Sequence, residues 1–185
     1  MRLERRRAAH QRIHREDGPQ VLTGADVERS LRPRDLLRRV LIIGVGNEYR
    51  GDDGVGLFVA RRLKARRLPN TEIVEADGDG AALIEAWGGA RTVILCDAVS
   101  SGEAPGSIHR FGARSTPIPI NFFHHSTHAF GVAEAVALAR ALGRLPPRLI
   151  VYGIEGETVE AGIGLSPAVE KAAVRLVELL LAEIG

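Results

Sequence analysis

The run Leu41-Ile42-Ile43-Gly44-Val45-Gly46-Asn47-Glu48-Tyr49-Arg50-Gly51-Asp52-Asp53-Gly54-Val55-Gly56 passes from an unbroken apolar segment, through two glycines, to a pair of acids and an amphipathic stretch. The apolar part, Val40 to Val45, reads as a buried strand. Val55 to Ala65 reads as a helix, with Val55, Val59 and Leu63 at four-residue spacing and Arg61, Arg62 and Lys64 toward solvent. A strand entering Gly44-x-Gly46 and then a helix invites a dinucleotide reading. It fails on spacing, because the glycines run G-x-G-x₄-G and no P-loop lysine follows. It also fails on charge, because Asp52 and Asp53 stand where a pyrophosphate requires bare N–H groups. No nucleotide cofactor is expected. Carboxylates at that place favour a cation, or simply complement a helix dipole.

The same alternation continues along the chain. Glu72 to Ala76 reads as a second strand, Ala81 to Trp87 as a short helix closed by Gly88 and Gly89, and Thr92 to Cys96 as a third strand. Ser107 to Phe111 suits an edge strand, and Ser115 to Phe123, with Pro117 and Pro119, an irregular loop. His128 to Leu142 reads as helix and Arg148 to Ile154 as strand. A last helix follows, with Ser166 as N-cap, Pro167 at its first position, and Val169, Ala172, Ala173, Leu176, Leu180 and Ile184 as its core stripe. Strands alternating with helices predict an α/β fold with a mostly parallel sheet.

The chain has 185 residues, of which 45% are hydrophobic and 26% charged. That suits one domain with a real core. No apolar run approaches the roughly 18 residues of a membrane span, so no membrane partner is expected. Residues 1–39 hold 11 Arg against 6 acids, while the remainder holds 14 Lys or Arg against 17 acids. The body is therefore mildly acidic, and with 4% aromatics it offers no basic, aromatic-studded face for nucleic acid. Residues 1–38 lack apolar periodicity and contain Gly18, Pro19 and Pro33. They read as a flexible Arg-rich extension, solvated or acting as a docking arm, ahead of a single domain over 39–185. The charged start has no apolar h-region, and the single Cys96 cannot form an internal disulfide. A cytoplasmic location is expected.

Topology gathers the candidate chemistry. Ligands in open α/β sheets bind beyond the carboxyl ends of the strands. Asp53 follows the first strand, Asp77 the second in Ala76-Asp77-Gly78-Asp79-Gly80, and Asp97 ends the third. Asp77 also suits a turn-shaping role. Phe123-His124-His125-Ser126-Thr127-His128 adds three imidazoles before a helix, where the dipole disfavours the protonated ring. Carboxylates and imidazole with open positions suit a divalent transition metal that is bound weakly and shared. Cys96, inside an apolar strand, reads as a buried small hydrophobe, and Glu155 and Glu157 as solvated loop acids.

The ordered set Gly44-Val45-Gly46-Asn47, Asp52-Asp53-Gly54-x-Gly56, Asp97-Ala98, Thr127-His128, Gly153-Ile154-Glu155 and Gly164-Leu165-Ser166-Pro167 resembles the hydrogenase maturation endopeptidases. The resemblance runs from about Leu41 to the C-terminus. It implies a three-layer α/β/α sandwich around a five-stranded sheet. It also implies an aspartyl-type endopeptidase that removes the C-terminal extension of a nickel-iron hydrogenase large subunit once nickel is inserted. Carried over by motif, the nickel-contacting residues are Asp53, Asp97 and His128, with the nickel supplied by the substrate and either Asp53, the candidate catalytic group, or a metal-polarised water promoting attack on the peptide carbonyl. Asp52, Asp77, His124 and His125 are candidates for supporting positions, Asp52 as a dipole partner or prop. The partner implied is the large-subunit precursor. A checkpoint protein or metallochaperone that binds the same precursor without cutting it is the competing expectation. Two departures bear on the site: Asp77-Gly78-Asp79-Gly80 replaces the usual Asp-Gly-Gly-Thr, and Ala129 stands where Gln or Glu often follows the histidine.

Overall fold

The computed structural model describes residues 40–115, 118–119, 122–123, 130–162 and 164–184. The expected extension over 1–38 and the candidates His124, His125 and His128 lie outside the described residues.

The leading apolar segment is β1, Val40–Val45, and its four-residue stripe forms α1, Val55–Lys64. There follow β2 (Thr71–Ala76), α2 (Gly80–Ala86), β3 (Thr92–Val99), β4 (Ile108–Gly112), α3 (Val132–Ala141), β5 (Arg148–Glu155) and α4 (Pro167–Ile184). The strands form one sheet in the order β2-β1-β3-β5-β4. All pairings are parallel except β4 with β5. This is the expected α/β architecture with five strands.

Period-two alternation divides the strand side chains between two cores. Ile42, Ile94, Cys96, Ile150 and Tyr152 pack with α1 and α4, while Leu41, Ile43, Val93, Leu95 and Val151 pack with α2 and α3. Helices on both faces make three layers. In α4 the stripe Val169, Ala172, Ala173, Leu176 and Leu180 is wholly buried. Each large member contributes roughly 1.5–3 kcal/mol through that burial.

The glycines of the opening run serve close approach. A Cβ on Gly44 would strike the Gly56 carbonyl and come within 2.6 Å of the Ala60 Cβ. One on Gly56 would overlap the carbonyls of Val45 and Cys96. The bare backbones let the first turn of α1 sit directly on β1 and β3. Gly46, at φ +143°, lies against the Asp53 carbonyl, where no side chain fits.

Two boundaries differ from expectation. β3 runs on to Val99 because its ladder with β5 continues to Val99 and Glu155, so Asp97 lies inside the strand. α3 starts at Val132, since Gly131 is extended and its N–H donates to Glu134 Oε2 at 3.1 Å. The helix therefore begins four residues after His128, not at it.

Candidate active site

β1 leads through α1 to β2 on one side, and the chain then returns across β1 to β3 on the other. The sheet thus changes direction between β1 and β3, which is where α/β sheets open a crevice. The β1–β3 ladder stops at Gly44 and Cys96. Asp97, the next residue of β3, is therefore the first to face the turn that leaves β1.

That turn is built by the Gly-Asp-Asp-Gly segment, a 3₁₀ turn over Gly51–Gly54. Asp53 donates its N–H to Arg50 O, and its own carbonyl accepts from Asn47 N–H, both at 3.2 Å. Only 6% of Asp53 and 8% of Asp97 is exposed. Burial, and then the charge of Asp53, push the Asp97 carboxyl well above the usual range, while a 2.8 Å bond from Ala98 N–H opposes them. Two acids thus lie buried within each other's field at the switch point, an arrangement that folding alone would disfavour. Among the described residues no three His, Cys, Asp or Glu side chains gather as a metal group.

Asp52 points elsewhere. It is fully buried; its Oδ2 accepts from the N–H groups of Glu157 (2.9 Å) and Thr158 (3.1 Å), and its Oδ1 accepts from Ser166 N–H (2.7 Å). Of the two expected roles, prop rather than dipole partner fits these contacts. The carboxylate ties the loop after β5 to the site turn, aided by the bridge between Arg50 and Gly162. The Ser166 hydroxyl, expected to cap α4, finds no partner among the described residues. Asp77 accepts from Asp79 N–H at 3.1 Å, and Asp79 caps α2 by accepting from Ala82 N–H at 2.7 Å. Both acids shape the Gly-rich turn after β2.

On its outer side the site turn is braced by Arg61, expected to be merely solvated. Its guanidinium meets Glu48 Oε2 and Glu75 Oε2, each at 2.8 Å. The three groups are partly exposed, so the brace orients more than it stabilises.

Glu155 corrects the sequence reading. It is 3% exposed rather than solvated, and its Oε1 accepts from the N–H groups of Ser101 (2.8 Å) and Gly102 (2.9 Å). Its Oε2 accepts from Ser101 Oγ at 2.7 Å and lies 3.4 Å from His109 Nε2. The His109 ring stacks on Phe111 and meets Phe122 edge-on, and the Phe122 carbonyl accepts from Ser100 N–H at 2.8 Å. The segment entering the histidine run is thereby tied to the carboxyl end of β3. Nothing in the local pattern around Ser101 or His109 announces this. Glu157 is exposed, as expected.

Comparison with known proteins matches residues 57–183 to the hydrogenase maturation protease family, HycI. The match begins just after the acid-bearing turn and spans Asp97. The chain is 31% identical to the hydrogenase 2 maturation protease of Escherichia coli over 150 residues, 79% of this chain and 90% of that one. The chain belongs to the hydrogenase maturation protease family.

Solved structures agree. The protease superposes on the hydrogenase maturating endopeptidase HybD from Escherichia coli with a TM-score of 0.63 at 30% identity, covering 78% of this chain and 91% of that one. For the [NiFe] hydrogenase maturation protease HybD from Thermococcus kodakarensis the TM-score is 0.64 at 26% identity, covering 80% and 99%. The protein is thus a peptidase. Among the described residues no helix is long and apolar enough to cross a membrane.

Proposed function

We propose that this protease removes a C-terminal extension from a nickel-iron hydrogenase large-subunit precursor, in the cytoplasm, by recognising nickel that the precursor itself carries. The observation behind this reading is the burial of Asp53 and Asp97 within each other's field at the switch point of the sheet. A divalent cation delivered to that place relieves the repulsion that burial imposes. The name of the Thermococcus kodakarensis neighbour, a [NiFe] hydrogenase maturation protease, supports nickel as that cation.

In this reading Asp53 and Asp97 each offer an oxygen, and His128 a nitrogen, to the substrate's nickel. The metal then fixes where the scissile bond lies. Water oxygen adds to the peptide carbonyl carbon while Asp53 takes its proton. The C–N bond breaks as the amine takes up that proton, leaving a carboxyl group on the subunit and a free amine on the released tail. Asp52 holds the turn still while this happens.

Processing of a nickel-loaded precursor by Asp53→Ala and His128→Ala variants tests the assignment. Both variants are expected to fold and to leave the precursor uncut. Full processing by either would show that the site lies elsewhere.

A further inference from the structure

Beside the acid-bearing turn lies a trough of about 600 Å³, walled by Val74 and Ala76 of β2 and by Ala82 and Ala86 of α2, with Gly46 and Asp77 at its inner end. Two independent features meet there. First, β2 is the outermost strand of the sheet and pairs on one side only, with β1, among the described residues. An edge left unpaired in this way presents backbone N–H and C=O groups to an incoming chain. Second, the helix wall facing that edge is cut down to methyl groups. Ala82 and Ala86 are one helical turn apart, so together they leave a shallow apolar shelf.

Val74 and Ala76 turn toward this shelf, while Glu75 between them turns to the opposite face and binds Arg61. The lining is therefore mostly aliphatic, completed by Ile43, Leu57 and Leu83, with Glu75 at its border. The inner end touches the site directly, because Gly46 packs against the Asp53 carbonyl and its N–H continues the ladder to Ala76 O at 3.1 Å.

We propose that this trough binds the C-terminal extension of the precursor as an extended strand added to the edge of β2 that is unpaired among the described residues. The inference rests on the proteolytic reading above and deepens it. An endopeptidase must present its scissile bond in an extended chain, and a strand edge that ends at the catalytic turn supplies the main-chain bonds for that. Six residues of β2 offer a track of about 20 Å. Alternate side chains of the bound tail fall on the alanine shelf, so the trough selects small aliphatic residues at every second position. Extension length and sequence are thereby read on β2, separately from the metal.

Ala82 is exposed and Ala86 half-buried, so a larger side chain at either place fills the trough without entering a core. For Ala82→Phe and Ala86→Phe, KM for nickel-loaded precursor is expected to rise roughly 10-fold or more, the scale on which an apolar pocket discriminates one side chain, with kcat little changed. Affinity for the mature, tail-less subunit is expected to stay as it was. An unchanged KM in both variants, with native circular dichroism, would overturn the proposal while leaving proteolysis intact. Hydrogen exchange on the full chain gives a readout independent of cleavage. Amides of β2 and α2 are expected to gain protection with precursor bound to an Asp53→Asn trap, and not with mature subunit. Equal protection with mature subunit, protection already present in the free protein, or none with precursor would each overturn it. Absence of cleavage by the unsubstituted protease would instead remove the proteolytic reading.

Discussion

Asp52 and Ser166 stand 114 residues apart in the chain and are joined by a 2.7 Å hydrogen bond from Ser166 N–H to Asp52 Oδ1. With the bonds from Glu157 and Thr158, one buried carboxylate fastens the loop between β5 and α4 to the turn that carries Asp53. Asp52→Ala leaves three donors unmatched, and unsatisfied buried groups of this kind cost about 1–3 kcal/mol. Urea denaturation should show a loss of that size. A change below about 0.5 kcal/mol, the scale of an ordinary surface substitution, would mean that the loop is held by something else.

Gly56 tests the packing that seats α1 on the sheet. Its substitution by Ala drives a methyl into two backbone carbonyls, neither of which can rotate away. Overpacking of this kind costs about 1–3 kcal/mol. Denaturation is expected to register that loss, together with reduced processing, because the displaced turn carries Asp53.

Cys96 separates acid from thiol chemistry. Burial, with the charge of Asp97 beside it, pushes the thiol up to about 12, and the side chain is 1% exposed. Thiol reagents are expected to modify it only after unfolding. Cys96→Ala should keep processing within a few-fold of the original and cost about 1–2 kcal/mol, as a small core truncation does. Loss of processing with an intact fold would reopen a thiol mechanism.

Asp97 links the site to pH. Its folded-state carboxyl is raised above the ordinary value of 3.8, so the folded state binds the proton more tightly than the unfolded chain. Stability from this group is full below that value and is lost as pH rises through the folded-state value. Asp97→Asn removes the penalty. The variant is expected to melt higher than the original protein at pH 7 in chelator, to converge with it as the pH falls toward 3.8, and to leave the precursor uncut. A lower melting temperature at pH 7 would show that the charged form is the stabilised one.

The local elements were legible in the sequence because their causes are local. The apolar run of β1, the four-residue stripe of α1 and the Pro167 start of α4 each depend on neighbours within a turn or two. The placement of Asp53 and Asp97 on one sheet edge followed from strand order alone. What escaped was long-range. Glu155 looked like a loop acid because its partners, Ser101 and His109, are 54 and 46 positions earlier and meet it only through the β3–β5 and β4–β5 pairings. For Asp52 the sequence leaves prop and dipole partner both open, since only three distant backbone N–H groups decide between them. The start of α3 was set too early because Gly131 has no side chain to signal a cap.

The most direct test of the account is the intact mass of a nickel-iron hydrogenase large-subunit precursor after incubation with the protease, compared between nickel-loaded and nickel-free forms. The loaded precursor is expected to lose its C-terminal extension in a single cut, and the nickel-free precursor to keep its full mass. Equal cleavage of both forms would contradict nickel recognition, and an intact loaded precursor would contradict the proteolytic assignment itself.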